Sequence, residues 1–309
     1  MDARRLVARA RRVSRLSVRH PASFAPFEPM TEADASHYRT LVLAALNEDA
    51  AASDVTTSAV VDADATATAL ARTRAEGVIA GLAIAALAMR LVDARIRTEF
   101  LTTDGCQVRA GSGAARFEGP ARGILSAERV ALNLVARLSG IATLTRKFVD
   151  AVHGLDVKIL DTRKTTPGLR SLERYAVRAG GGFNHRFDLS AALLIKDNHL
   201  AVAGSVGKAV ERARTQAGRD RIIEVECESL ADVREALAAG ADSVLLDNMA
   251  PAAMREAVAL ARGRAVVEAS GGVDLRSVRG IAETGVELIS VGALTHGSAW
   301  LDLGLDFQT

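Results

Sequence analysis

The chain carries two different rhythms of apolar and polar residues. Over HYRTLVLAALNEDA (37–50) the apolar residues recur at helical spacing, whereas VTTSAVV (55–61), GVIAG (77–81) and IRTEFL (96–101) are short β-branched runs. Residues 31 to about 125 therefore predict a small α+β domain. A long amphipathic segment, SAERVALNLVARLSGIATLTRKFVDAV (126–152), predicts one long helix with Ser126 as its N-cap. From Leu155 the rhythm changes to short apolar runs separated by helix-length segments: LDVKILD, ALLIK, IIEVEC, SVLLD, AVVEAS and ELISVG. Six βα units without hairpin signals predict a parallel sheet, and their repetition favours an α/β barrel over an open doubly wound sheet, which stays the second choice.

Polar residues sit at the ends of these runs. Asp161, Arg163 and Lys164 follow the first, Lys196 ends the second, Glu226 the third and Asp247 the fourth; Ser270, Gly271 and Gly272 follow the fifth and Gly292 the sixth. In a barrel the carboxyl ends of the strands converge on one face, where barrel enzymes place their active sites. Arg163, Lys164, His185, Arg186 and Lys196 make one side of such a cleft cationic. That much like charge calls for an anionic ligand, and the mixture of planar Arg forks with mobile Lys suits carboxylates and phosphates together. Glu226 and Asp247 face it from the other side. Each alone reads equally as a solvated strand end, but two in consecutive strands suit ribose hydroxyls or Mg²⁺, which takes oxygen ligands beside substrate phosphates. SGG (270–272) and VGA (291–293) stand where many barrels bind a phosphate through backbone N–H groups, although glycine there also serves turn geometry.

Composition narrows the class. With 309 residues and 49% hydrophobic residues the chain supports a substantial core. The net charge of +2 conceals an asymmetry: residues 1–20 hold seven Arg against one Asp, which leaves about −4 for the remainder. A mildly acidic folded part argues against nucleic-acid binding and for small-molecule chemistry. Cys106 and Cys227 are too few and too distant for a disulfide framework or zinc set and read as buried small side chains, so a reducing cytoplasm is expected. Charges interrupt every apolar stretch, so no membrane span is expected. The basic segment 1–29 reads as a flexible extension, with an ordered helix or a targeting peptide as the other readings. Only five Lys stand among the 39 basic residues, which makes each a candidate for a role that Arg cannot fill.

Read as strings, DTRKTTPGLR (161–170), GGGFNHR (180–186), LIKDNH (194–199), EVE (224–226), LLDNM (245–249), EASGG (268–272) and ISVGALTH (289–296) resemble the successive signatures of the quinolinate phosphoribosyltransferase family. The resemblance implies an incomplete seven-stranded α/β barrel over 134–296. It also implies an N-terminal α/β sandwich over 30–133 that the tail 297–309 rejoins. It implies that Arg129, Arg163, His185, Arg186 and Lys196 bind quinolinate, with Lys164 between that site and phosphoribosyl pyrophosphate. Glu226 and Asp247 are implied to hold the ribose hydroxyls and the Mg²⁺-linked end, and Ser270, Gly271, Gly272, Gly292 and His296 the phosphate. Lys164, Glu226 and Asp247 are the implied catalytic groups, Mg²⁺ the implied cofactor. A homodimer, or a multiple of dimers, in which Arg129 reaches the neighbouring site completes the expectation.

The chain departs from the family pattern in two places. EDAAASDVT (48–56) has Ala51 and Ser53 where relatives carry glycine, and Asp188 and Ala191 follow NHR where a glycine and an acid are usual. The expected activity is phosphoribosyl transfer to quinolinate with loss of CO2, giving nicotinate mononucleotide in NAD biosynthesis. The alternatives are a paralogous phosphoribosyltransferase for another anionic base, a Schiff-base aldolase using Lys196, and a non-catalytic binding protein.

Overall fold

The computed structural model describes residues 26–218 and 221–308; the expectation for the basic segment falls mostly on residues 1–25, outside them. In chain order the first elements are α1 (Glu32–Ala35), α2 (Arg39–Glu48), α3 (Val55–Val60), β1 (Thr66–Thr73), β2 (Gly77–Val78) and α4 (Leu82–Val92). Next come β3 (Arg97–Phe100), β4 (Gln107–Val108), β5 (Gly113–Pro120), α5 (Ala121–Ala151), β6 (Lys158–Leu160), α6 (Arg170–Ala179) and β7 (Leu193–Ile195). Then follow α7 (Asp197–Ala203), α8 (Val206–Ala217), β8 (Ile223–Cys227), α9 (Leu230–Ala238), β9 (Ser243–Asp247) and α10 (Pro251–Ala261). The chain ends with β10 (Val266–Ser270), α11 (Val278–Ala282), β11 (Leu288–Ser290), α12 (Ala293–His296) and β12 (Leu303–Gln308).

These elements fall into two compact units. One comprises residues 26–146, 165–181 and 297–308, the other 147–164 and 182–296.

The first unit is built on an antiparallel sheet in the order β12-β1-β5-β3. β12 comes from the carboxyl end of the chain and runs against β1 from Thr68↔Gln308 to Thr73↔Leu303. The tail reaches that position along α5, where Leu301 N–H donates to Ala136 O (3.0 Å) and Gly140 leaves no room for a side chain against Ala299 and Trp300. Leu301 is buried, while the neighbouring Trp300 is 56% exposed. At the start of α4 the Asp104 carboxylate accepts from Gly81 N–H (2.8 Å) and Leu82 N–H (3.2 Å), placing negative charge at the positive end of the helix dipole. Glu173 of α6, fully buried, accepts from Arg137 Nη2 (2.7 Å), Thr166 N–H (3.0 Å) and Thr166 Oγ1 (2.8 Å).

Two local expectations fail here. VTTSAVV is the helix α3 rather than a strand, because Asp54 caps it by accepting from Thr57 N–H (2.9 Å) and Thr57 Oγ1 (2.5 Å); a local cap outweighs β-branched propensity. Ser126 lies inside α5, which begins at Ala121, and its hydroxyl donates to the same Asp54 (3.0 Å). The expectation of two buried cysteines is also half wrong, since Cys106 is exposed.

The second unit holds all six expected parallel strands in the order β6-β11-β10-β9-β8-β7. An open doubly wound sheet would reverse direction in the middle; here the chain steps from β7 through to β11, and β6, first in sequence, closes beside β11. A seventh segment is reduced to one residue: Phe183 bridges to Leu160, its N–H donating to Ile159 O (2.9 Å) and its carbonyl accepting from Asp161 N–H (3.1 Å). The fold is thus α/β, an incomplete barrel with a separate antiparallel unit. Inside it Leu160, Val266 and Leu288 pack together against Phe183.

Candidate active site

The carboxyl ends of the parallel strands open into a cavity of about 650 Å³, formed wholly by the barrel unit. Its lining includes every residue expected at the site except Arg129, which is exposed on α5 in the other unit.

The cationic wall is assembled from three strand ends. Asp161, fully buried after β6, accepts from His185 N–H (2.8 Å) and from the Asn184 side chain, which locks the NHR turn beside Arg163 and Lys164. Arg186 is 5% exposed, and its Nη1 donates to Ala192 O (3.0 Å). Burial, and then the neighbouring Arg163, pull its pKa below the ordinary guanidinium value. A substrate carboxylate would relieve both effects. Lys164 arches over Gly292, where an added Cβ would sit 3.1 Å from Lys164 Cδ and 3.1 Å from His296 Nε2. Its carbonyl accepts from the Thr295 hydroxyl (2.7 Å). Glycine at 292 thus makes room for two basic side chains at once.

The acidic side begins with Glu226, which is ion-paired with Lys196. Lys196 also opens α7, its N–H donating to the His199 ring (2.9 Å), so His199 supports the backbone there. Asp247 ends β9, and its carboxylate accepts from Asn248 Nδ2 (3.0 Å). The glycine loop follows β10, with Gly271 at φ +91° and Gly272 at φ +59°, backbone that side chains disfavour.

At the cavity floor lies a cluster that the sequence reading missed. Glu224 and Glu268, both fully buried, meet His185 Nε2 at 3.2 and 3.4 Å, and Ser243 Oγ donates to Glu224 (2.9 Å). His185 Nδ1 faces the N–H of Arg186 at 2.7 Å. That contact favours a neutral ring and burial disfavours a charged one. Two buried carboxylates outweigh both and push the imidazole up to about 10. Both ring nitrogens are engaged within the protein, so His185 meets the cavity as part of its floor. The missed signal was spacing: on strands that alternate in and out, Glu224 lies two residues before Glu226 and faces the same side.

The family departures have local explanations. Asp188 accepts from Ser190 N–H (2.8 Å), Ser190 Oγ (2.7 Å) and Ala191 N–H (3.1 Å), closing an exposed turn outside the cavity lining. Ala51 and Ser53 form a 3₁₀ turn in which only Ala50 takes a left-handed φ, of 52°, so neither glycine position needs glycine in this backbone. Among the described residues no helix is long and apolar enough to cross a membrane.

The chain is matched by family models for the quinolinate phosphoribosyl transferase C-terminal domain over residues 141–306 and N-terminal domain over 54–139. It is 47% identical over 233 residues to the probable nicotinate-nucleotide pyrophosphorylase [carboxylating] of Bacillus subtilis, covering 75% of this chain and 81% of that one. It is 43% identical over 274 residues to the nicotinate-nucleotide pyrophosphorylase [carboxylating] of Mycobacterium leprae, covering 87% and 96%. The solved structure of the nicotinate-nucleotide pyrophosphorylase from Francisella tularensis superposes with a TM-score of 0.85 at 38% identity, covering 93% of this chain and all of that one.

Proposed function

The chain belongs to the quinolinate phosphoribosyltransferase family, and from that premise we infer that its barrel cavity joins quinolinate to phosphoribosyl pyrophosphate, releasing diphosphate and CO2 and leaving nicotinate mononucleotide for NAD synthesis. The observation that supports this reading most is the convergence of Arg163, Lys164, Arg186 and Lys196 opposite Glu226 and Asp247, with the glycine loop at the rim of one cavity.

Arg163, Arg186 and Lys196 take the two pyridine carboxylates, with His185 setting the floor under them. Glu226 and Asp247 take the ribose hydroxyls. Backbone N–H groups of Gly271, Gly272 and Gly292, with Ser270 and His296, receive the phosphate. Lys164 spans the two halves, where its charge meets the departing diphosphate as the pyridine nitrogen attacks the anomeric carbon. Catalysis of this kind is mostly positioning and charge stabilisation. Once the nitrogen is alkylated the ring is a pyridinium. The bond to the adjacent carboxylate breaks, its electron pair stays on the ring carbon beside the positive nitrogen, and a proton takes the place of CO2.

Two carboxylates on neighbouring strands, one of them already paired with Lys196, suit a hydrated Mg²⁺ that arrives with the diphosphate better than a resident metal. Glu226 and Asp247 would hold that ion, which supplies neutralisation of the leaving group. We assign Arg129 to the neighbouring site of a homodimer and the protein to the cytoplasm. The Schiff-base reading of Lys196 loses ground, because its side chain is committed to an ion pair with Glu226.

The test is one assay of the purified protein with phosphoribosyl pyrophosphate and Mg²⁺, offering quinolinate and nicotinate separately. Nicotinate mononucleotide from quinolinate alone is expected; a folded protein that makes it from neither overturns the reading in favour of another anionic base.

A further inference from the structure

Asn248, one residue beyond the acid that ends β9, combines three features found together nowhere else in the cavity lining. Its φ is 53°, one of two left-handed values among the described non-glycine residues. Asparagine tolerates that region better than most side chains, yet strain of this kind persists only where the surroundings over-determine it. Its N–H donates to Ser270 O (3.0 Å), carrying the register of β9 and β10 one step past the paired residues Asp247 and Ser270. Its side chain works in two directions: Nδ2 donates to the Asp247 carboxylate (3.0 Å), and the amide lies so close to Gly271 that a Cβ there would overlap it, with Nδ2 only 2.7 Å away.

Each feature constrains the others. The left-handed turn aims the amide across to the next strand end instead of outward, and the missing Cβ at Gly271, itself at φ +91°, is what admits it. The amide is therefore a spacer between the acid on β9 and the glycine loop on β10, fixing one carboxylate orientation and one loop height at the same time. The basic groups Arg163, Arg186 and Lys196 stand on other strand ends.

We propose that Asn248 is a positioning residue for the phosphoribosyl donor, setting the separation between the Asp247 carboxylate that takes the ribose and the Gly271–Gly272 loop that takes the phosphate, without contributing to recognition of the pyridine acid. The proposal rests on the reading of the cavity given above.

The test uses Asn248→Gly and Asn248→Ala in the full-length protein. Glycine accepts the left-handed backbone freely and removes only the amide; alanine removes the amide and keeps the strain. Both are compared with the unmodified protein for the KM of each substrate, for kcat, for melting temperature and for calorimetric binding of phosphoribosyl pyrophosphate with Mg²⁺. A hydrogen bond to a charged group is strong enough that its loss should raise the donor KM of Asn248→Gly by about tenfold or more. The quinolinate KM should stay within about twofold and the melting temperature close to that of the parent, with Asn248→Ala at least as impaired and less stable. An unchanged donor KM in Asn248→Gly, or equal rises for both substrates, overturns the proposal. Absence of donor binding and turnover in the unmodified protein overturns instead the functional reading beneath it.

Discussion

His185 Nε2 and a carboxylate oxygen of Glu224 face each other at 3.2 Å at the cavity floor, with Glu224 wholly shut off from water and His185 nearly so. Glu268 approaches the same nitrogen at 3.4 Å. Burial works against a charged ring, but the two carboxylates that face one ring nitrogen outweigh it and raise the pKa to about 10. The folded value lies above the unfolded one of about 6.5. The stabilisation it brings is therefore complete below pH 6.5 and is lost as pH rises through 10. At about 1.4 kcal/mol per pK unit the loss is on the order of several kcal/mol. Urea unfolding at pH 6, 8 and 10 should show this decline, with a shallower slope in His185→Asn. A parallel pH dependence in both proteins would remove His185 as its source.

Lys164 and Lys208 provide a paired comparison within a chain that has few lysines. Lys164 lies against Gly292 in the cavity, whereas Lys208 is exposed on α8 and does not line the cavity. Lys164→Ala should lower kcat/KM by roughly a hundredfold or more, the scale seen when a preorganised charge is removed from a developing anion. Lys208→Ala should stay within about twofold. Equal activities would take Lys164 out of the reaction.

Much of the barrel could be read in the sequence because parallel strands buried on both faces appear as uninterrupted apolar runs, and the six runs from LDVKILD to ELISVG all became strands of one sheet. The mouth residues were legible for the same reason, since a charge that ends an apolar run marks the strand's carboxyl end. Glu224 and Glu268 were not. They sit inside the runs, and only the alternation of side chains into the barrel distinguishes a buried inward acid from a strand interruption. Asn248 escaped because a left-handed φ leaves no compositional trace. VTTSAVV misled because its β-branched residues carry strand propensity, while the Asp54 cap that overrides it is a single residue outside the run.

Gly140 and Gly280 test how the carboxyl-terminal tail is held. A Cβ at Gly140 would overlap the Ala299 carbonyl and stand 3.0 Å from Trp300 Cα, and backbone cannot swing aside as a flexible side chain can. A Cβ at Gly280, in α11, meets nothing within 4 Å. Gly140→Ala should cost about 1–3 kcal/mol and lower the melting temperature by several degrees. Gly280→Ala should be neutral or stabilising by up to about 1 kcal/mol through helix propensity. A Gly140→Ala protein that melts with the parent would mean that the tail does not depend on its close approach to α5.

Arg129 is exposed on α5 and absent from the lining of the cavity in its own chain, so its assignment to a neighbouring site has a quantitative consequence. In a two-fold dimer each site would combine Lys164 of one chain with Arg129 of the other. Arg129→Ala and Lys164→Ala should each be nearly inactive alone. After unfolding and refolding as an equal mixture, about half of the dimers pair one variant with the other, on random two-fold pairing. In those the chain bearing Arg129→Ala keeps its Lys164 and receives Arg129 from its partner, whereas the second site lacks both. Roughly a quarter of the sites in the mixture are then whole, and activity should return to about a quarter of the unmodified level. A mixture no more active than its components would show that Arg129 acts within its own chain or outside the reaction.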